Sequence, residues 1–230
     1  DAIRDPARTI AEIEAAAGIT YAPKQREAVE LAAKSGVLIL TGGPGTGKTT
    51  IIKAILEICN ILKFSCVLAA PTGRAAQRMF ESSGKEAKTI HRLLEMGYDP
   101  DGRAVFNRND FDLLDEQIII VDEASMIDSS LMCALLKAIK PGARLILIGD
   151  ADQLPSVGAG RVMGDILDSG GLSTVRLDEI FRQAEESLIV TNAHAINRGE
   201  MPRLDEKKKD FFFLPRQADA EIAATVAQLY

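Results

Sequence analysis

The sequence predicts an α/β fold: a parallel sheet with helices on both faces. Three observations predict it. Short runs such as 37–40 (Val-Leu-Ile-Leu) and Ile118–Val121 are apolar throughout, without the alternation of a strand that has one wet face. These runs alternate with helix-length segments along most of the chain. A glycine-rich loop, 42–49, joins the first of them to a helix.

Each element has its own local reason. Asp5-Pro6 reads as a helix start, with Asp5 as N-cap and Pro6 at the first helical position. Ile10, Ile13 and Ala17 follow at helical spacing, and Gly18 closes the helix. A second helix begins near Pro23 and ends by Gly36, and the strand 37–40 follows. Helix 48–62, strand Cys66–Ala70 and a helix over about 74–81 come next. Residues 97–117 break the alternation. Tyr98-Asp99-Pro100-Asp101-Gly102 is a turn signal, and the segment reads as a β-hairpin with Asp101-Gly102 at its tip. Alternation then resumes with strand Ile118–Val121, helix 129–139, strand 144–148, helix 161–168 and strand 174–177. Lys207-Lys208-Lys209 reads as a solvated turn before a strand at 211–214, and a last helix covers 218–229.

The chain has 230 residues, enough for one large core or for one domain and part of a second. With 47% apolar and 26% charged residues it has the composition of an ordinary globular protein. No apolar run approaches the ~20 residues that cross a bilayer, so no membrane association is expected. The chain opens on Asp1-Ala2-Ile3-Arg4, without a signal peptide or an initiator Met, and is expected to be a fragment. Cys59, Cys66 and Cys133 have no metal-ligand spacing, and the first two sit among apolar residues as small core side chains. With only His91 and His194, a histidine zinc site is not expected. This cysteine usage fits a reducing cytoplasm. The net charge of -6 argues against binding duplex nucleic acid by bulk attraction. It leaves room for a local basic groove or for backbone N–H contacts.

The loop Gly42-Gly43-Pro44-Gly45-Thr46-Gly47-Lys48-Thr49 has the spacing of a phosphate-binding loop, or P-loop. Glycines let it curl with amides inward, and the next helix adds the positive end of its dipole. The candidate ATP-binding residues are Gly43, Pro44, Gly45, Thr46, Gly47, Lys48, Thr49 and Thr50. Lys48 has the reach for the β and γ phosphates, and the Thr49 hydroxyl suits magnesium. A second magnesium anchor is expected at the end of an apolar strand, and Asp122 is there. Glu123, one residue on, is placed to orient or deprotonate the attacking water. A third strand runs into Gly149-Asp150-Ala151-Asp152-Gln153, on the sheet edge where ligands bind. By spacing alone, Gln153 is either a contact to phosphate or water, or an ordinary loop amide.

Six segments occur in one order: Gly-Gly-Pro-Gly-Thr-Gly-Lys-Thr-Thr (42–50), Ala-Pro-Thr-Gly-Arg-Ala-Ala (70–76), Thr-Ile-His-Arg-Leu-Leu (89–94), Val-Asp-Glu-Ala-Ser-Met-Ile-Asp (121–128), Gly-Asp-Ala-Asp-Gln-Leu-Pro-Ser-Val (149–157) and Phe-Arg-Gln (181–183). Over residues 19–230 the chain resembles the RecD-like branch of superfamily 1 DNA helicases, which includes the alpha subunit of exodeoxyribonuclease V. The resemblance implies a RecA-like motor domain. It implies that Gln25 reads the adenine edge, that Gln153 senses the γ phosphate, and that Arg182 reaches that phosphate across the cleft between two motor domains. Without the resemblance, Gln25 reads as an exposed helix residue and Arg182 as a surface arginine paired with Asp178 or Glu179. Thr72 and Arg74, and Thr89, His91 and Arg92, match single-stranded DNA contacts. For the second segment the competing reading is helix capping by Thr89 and a structural hydrogen bond from His91.

The implied organisation is an N-terminal helix or linker at 1–18, a RecA-like motor domain at 19–182 with a small hairpin insertion at 97–117, and an incomplete beginning of a second motor domain at 183–230. The later motifs of the family are missing. The implied activity is ATP hydrolysis coupled to 5′–3′ translocation on single-stranded DNA by the complete protein. The fragment alone is expected to bind ATP and magnesium and to hydrolyse slowly. The implied partners are single-stranded DNA, the missing second motor domain and other recombination or repair subunits, with no membrane. Two other functions share the P-loop. One is an ATPase acting as a nucleotide-dependent DNA-processing switch without unwinding. The other is a small-molecule kinase, for which the sequence shows no basic lid.

Overall fold

A computed structural model describes residues 6–181, 186–206 and 210–229. The chain divides into two compact units, Asp1–Glu179 and Ile180–Tyr230.

The first unit begins with helices α1 (Pro6–Ala17) and α2 (Pro23–Lys34). Strand β1 (Val37–Gly42) leads into α3 (Lys48–Leu62), β2 (Cys66–Ala70) and α4 (Gly73–Ser83). Then come β3 (Ala87–Thr89), the single-turn helix α5 (Ile90–Leu93), and the hairpin strands β4 (Met96–Tyr98) and β5 (Ala104–Phe106). Strand β6 (Ile118–Val121), α6 (Ser129–Ala138), β7 (Arg144–Gly149), α7 (Val162–Ser169) and β8 (Ser173–Leu177) complete it.

Six strands form one sheet in the order β3-β2-β6-β7-β1-β8, and every adjacent pair is parallel. The strands divide their side chains by parity. Leu38, Leu40, Leu68, Ile118, Ile120, Ile146, Ile148, Val175 and Leu177 pack with residues of α1 to α4. Ile39, Val67, Ala69, Ile119, Val121, Leu145 and Leu147 pack with residues of α5 to α7. Both faces are therefore dry, which is why these strands carry no polar alternation. Ile10 and Ile13 of α1 lie in the first of these cores, so this helix packs as part of the unit. The Gly18 turn that ends it is left-handed, with φ +64°. Asp5, expected as the N-cap, lies outside the described residues.

The segment 97–117 does contain a hairpin. Its strands pair antiparallel, Met96 with Phe106 and Tyr98 with Ala104. Gly102 takes φ +76° at the tip, and Gly102 N–H donates to Asp99 C=O at 2.9 Å. The short β3 was not expected as an element, and α5 appeared only in the reading of Thr89 as a helix cap, which the structure bears out. Three residues and one turn are too little for a periodic signal; β3 exists because it pairs with β2, and α5 starts on the Thr89 cap.

The second unit contains α8 (Leu188–Asn197) and α9 (Asp219–Leu229). Asn192, buried, clamps the backbone of Arg203 with both ends of its amide, at 3.1 and 2.8 Å, and folds the following loop onto α8. The strand expected at 211–214 is not formed. Only Phe211 makes a bridge, and Phe212, Phe213 and Leu214 are exposed in irregular chain. Apolar content favours a strand only where a neighbour can complete the hydrogen-bond ladder. Lys207, Lys208 and Lys209 lie outside the described residues.

Candidate functional site

The carboxyl edge of the sheet collects nearly every residue singled out in the sequence. Across it, in strand order, lie Thr89 at the end of β3, Thr72 beyond β2, Asp122 and Glu123 after β6, Asp150 after β7, and the phosphate loop after β1. Parallel strands point the same way, so their loops share one edge. That is where an open α/β sheet leaves room for a ligand.

The loop is built by close packing at its root. Gly42 is the last residue of β1, two residues beyond the expected strand end. A Cβ there would lie 2.7 Å from Thr46 Oγ1 and 2.9 Å from both Cβ and the carbonyl oxygen of Leu177, so only glycine fits without a shift. Gly45 and Gly47 take φ +78° and +83°, the left-handed turns that curl the loop. The buried Thr46 hydroxyl donates to Gly43 C=O at 2.8 Å and braces the loop from inside. Helix α3 starts at Lys48, so the amides of its first turn have no acceptor within the helix and suit an anion. The Lys48 ammonium donates to the carbonyls of Gly42 and Gly43, the latter at 2.9 Å, and thus lies inside the loop's curl. Thr49 is exposed at the same helix start.

The charges around Lys48 are unbalanced. Burial pulls the Lys48 ammonium below its ordinary range, and Asp150, Asp122 and Glu123 oppose that shift. Burial pushes the Asp122 carboxyl above the usual carboxylate range; the Glu123 charge adds to the rise, while the Glu123 amide and Lys48 oppose it. Lys48 thus feels three carboxylates, Asp150, Asp122 and Glu123, and the Thr49 hydroxyl follows it on the helix. Among the described residues no three acidic, histidine or cysteine side chains cluster as a metal cage; the Asp122 carboxyl and the Thr49 hydroxyl are oxygen donors of the kind a hard divalent cation takes together with phosphate.

Backbone geometry aims the carboxylates. Asp122 N–H still donates to Ala69 C=O at 3.0 Å, so Asp122 is held by the end of β2. Its Oδ1 accepts the Glu123 amide at 2.9 Å. Glu123 then turns sharply, with φ +54°, a left-handed conformation that costs a non-glycine residue about 1 kcal/mol or more. This turn lifts the Glu123 side chain out of the strand direction before the short turn Ala124–Met126.

Two residues that the sequence reading passed over hold the neighbouring loop. Thr41, buried in β1, accepts the Ala151 amide at 3.2 Å. Asp150, also buried, accepts the Asp152 amide at 3.0 Å, and its carbonyl accepts the Gln153 amide at 3.3 Å. Both had a signal: a lone hydroxyl in an apolar strand, and a second strand ending in Asp as Ile118–Val121 does. Gln153 itself is exposed beyond this turn.

The remaining candidates divide. Gln25 is buried, not exposed, and its Oε1 accepts the Ala22 amide at 3.1 Å at the start of α2. A carboxamide oxygen has a second lone pair, so this bond does not use up its capacity. Thr72 and Thr89 both cap helices, accepting from Ala75 N–H at 3.2 Å and Arg92 N–H at 3.1 Å. Thr89 ends β3 and Thr72 lies two residues beyond the adjacent strand β2, whose Ala70 pairs with Thr89 in register. Arg74, His91 and Arg92 are exposed next to them. The His91 ring also sits 6.0 Å from the Phe106 ring of the hairpin, tilted at 45°. Arg182 lies outside the described residues. No described helix is long and apolar enough to cross a membrane.

Comparison with known proteins agrees with this fold. The AAA domain family matches residues 20–211. An ATP-dependent RecD2 DNA helicase of Deinococcus radiodurans is 40% identical over 185 residues, covering 80% of this chain and 25% of that protein. A RecBCD enzyme subunit RecD of Mycobacterium tuberculosis is 42% identical over 205 residues, covering 77% of this chain and 34% of that one. The chain thus spans a quarter to a third of the length of these relatives. Among solved structures, the Pif1 helicase from Candida albicans matches with a TM-score of 0.60 at 20% identity, covering 92% of this chain and 54% of that chain, a likeness of fold. Unliganded Pif1 from Bacteroides sp matches with a TM-score of 0.52 at 25% identity, covering 77% and 46%.

Proposed function

The chain belongs to the AAA domain family as a RecD-like superfamily 1 helicase motor domain, and from that premise we propose that it is the ATP-hydrolysing half of a motor that moves 5′–3′ on single-stranded DNA. One observation carries the proposal. The phosphate loop and the two threonine-capped helix starts share one sheet edge, with Asp122 and Glu123 between them. A nucleotide and a DNA backbone bound there would be read by opposite ends of the same rigid sheet.

In this reading the amides of 43–50 cradle the phosphates, and the Lys48 ammonium exchanges two carbonyl partners for β and γ oxygens. The Thr49 hydroxyl and Asp122 would hold magnesium, which when bound would supply neutralisation of phosphate charge. Glu123 takes the proton of the attacking water. Gln153 senses the γ phosphate, Gln25 pairs with the adenine edge, and Arg182 reaches the γ phosphate across the cleft between the two motor domains, the second of which begins within 183–230. Thr72, Arg74, Thr89, His91 and Arg92 hold DNA phosphates; the threonines act through the helix starts they cap and the arginines through charge. The domain at 19–182 carries the hairpin as its insertion, and α1 packs into the same core. By itself the 230-residue chain binds ATP and hydrolyses it slowly without unwinding. The complete protein works in the cytoplasm with further recombination or repair subunits.

The deciding experiment measures ATP turnover of the full-length parent with and without single-stranded DNA, followed by a polarity assay on tailed duplexes. Stimulation by DNA together with 5′–3′ unwinding is expected. ATP turnover that ignores DNA would reject the motor and leave a nucleotide-dependent switch. Glu123→Gln should retain ATP and lose most turnover, since an amide is a poor base.

A further inference from the structure

Ser125 stands two residues beyond Glu123, in the short turn Ala124–Met126, and its hydroxyl is buried without a hydrogen-bond partner among the described residues. Buried hydroxyls are nearly always paired, because an unpaired one has lost water and gained nothing. The neighbourhood is tight. A Cβ at Gly149 would lie 3.1 Å from Ser125 N and 2.7 Å from Met163 Sδ, so Gly149 is what lets β7 end against this turn. The same two segments meet again further along. Ser129 N–H donates to Ala159 C=O at 2.9 Å, and a Cβ at Gly158 would collide with the Asp128 carboxylate. Segments 122–129 and 149–160 are therefore packed together at two points, and the unpaired hydroxyl lies at the one nearer Glu123.

We propose that Ser125 is a positioning residue whose hydroxyl gains a partner when nucleotide binds, so that occupancy draws the Glu123 turn and the 149–153 loop into one setting. The inference rests on the nucleotide-site reading above. A serine hydroxyl both donates and accepts, so a carbonyl or an amide presented by a small rotation of either segment satisfies it. Ligand binding shifts a conformation only through interactions that differ between its two states. A hydroxyl unpaired in one state and paired in the other is such a difference, and it adds to nucleotide affinity.

Ser125→Ala tests this, because alanine removes the unpaired group from the free protein and the gained bond from the bound one. The measurements are thermal unfolding of the nucleotide-free chain and the affinity for a magnesium complex of a non-hydrolysable ATP analogue. The nucleotide-free Tm should stay level or rise, and the analogue should bind about 5- to 30-fold more weakly. Ser125→Cys, close in size with a weak donor, should fall between alanine and wild type. A Tm several degrees lower in nucleotide-free Ser125→Ala would mean that the hydroxyl is already paired, and would overturn the proposal. So would analogue affinity within about two-fold of wild type, given the much larger effect expected. Failure of the wild-type chain to bind the analogue would instead overturn the nucleotide-site reading, and this inference with it.

Discussion

Thr41→Val isolates the bond that ties the phosphate-loop strand to the neighbouring loop. Thr41 is 2% exposed, and its hydroxyl accepts the Ala151 amide at 3.2 Å. Valine keeps the shape and the burial but cannot accept. The Ala151 amide, partly buried, then loses its acceptor, at a cost of about 1–2 kcal/mol. For a unit of this size each kcal/mol moves Tm by about 2–4 °C, so a fall of about 2–8 °C is expected on thermal unfolding followed by circular dichroism. Thr41→Ser keeps the bond and gives up one buried methyl, about 0.5–1.5 kcal/mol. Stability alone therefore separates the two variants poorly, and turnover separates them well. Valine frees the 151–153 segment that carries Gln153 and should lower ATP turnover several-fold, whereas serine should leave it near wild type. A Thr41→Val protein with Tm within about 1 °C of wild type and unchanged turnover would refute the claim that this bond sets the loop, since a lost buried bond costs more than that.

Asp122→Asn should raise the Tm of the nucleotide-free protein at neutral pH. The folded state holds the Asp122 carboxyl above its ordinary value of 3.8, chiefly by burial, so it favours the protonated form. That contribution to stability is complete below 3.8 and is lost as pH rises through the raised value. The advantage of Asn, which keeps the acceptor for the Glu123 amide, should shrink as Tm is followed down in pH; a lower Tm at pH 7 would contradict the burial argument. Gly42→Ala should cost about 1–3 kcal/mol and weaken nucleotide binding, because the Leu177 backbone that its Cβ meets is not free to yield. Denaturant unfolding and analogue titration measure both effects, and a fully stable, fully binding variant would show that the loop root is looser than its packing implies. Thr72→Ala removes the cap on Ala75 N–H and should cost about 1 kcal/mol. If its helix start also holds DNA, fluorescence anisotropy of a labelled single strand should show weaker binding, and unchanged anisotropy would leave the threonine as a cap alone.

The sheet was legible because its evidence is local and repeated. Apolar runs of strand length, punctuated by helix caps and glycines, state the alternation, and both faces being covered follows from the consecutive apolar residues at 37–40, 118–121 and 145–148. The strand expected at 211–214 failed for a related reason. Phe211, Phe212, Phe213 and Leu214 have the composition of a strand, but pairing is a property of two segments, and composition reports on one.

The site divides along the same line. The residue types of the phosphate loop, and the placing of Asp122 and Glu123 at the end of an apolar strand, are chemistry written in consecutive residues, so the sequence by itself determined them. The burial of Gln25, the tie from Thr41 to Ala151, the carboxylates that act on Lys48 and the unpaired Ser125 hydroxyl were decided only by tertiary structure. Each depends on which strand ends lie side by side. The order β3-β2-β6-β7-β1-β8 sets β6 and β7 between β2 and β1, so it brings the charge of Asp150 to Lys48 through a neighbourhood that no single window of sequence contains.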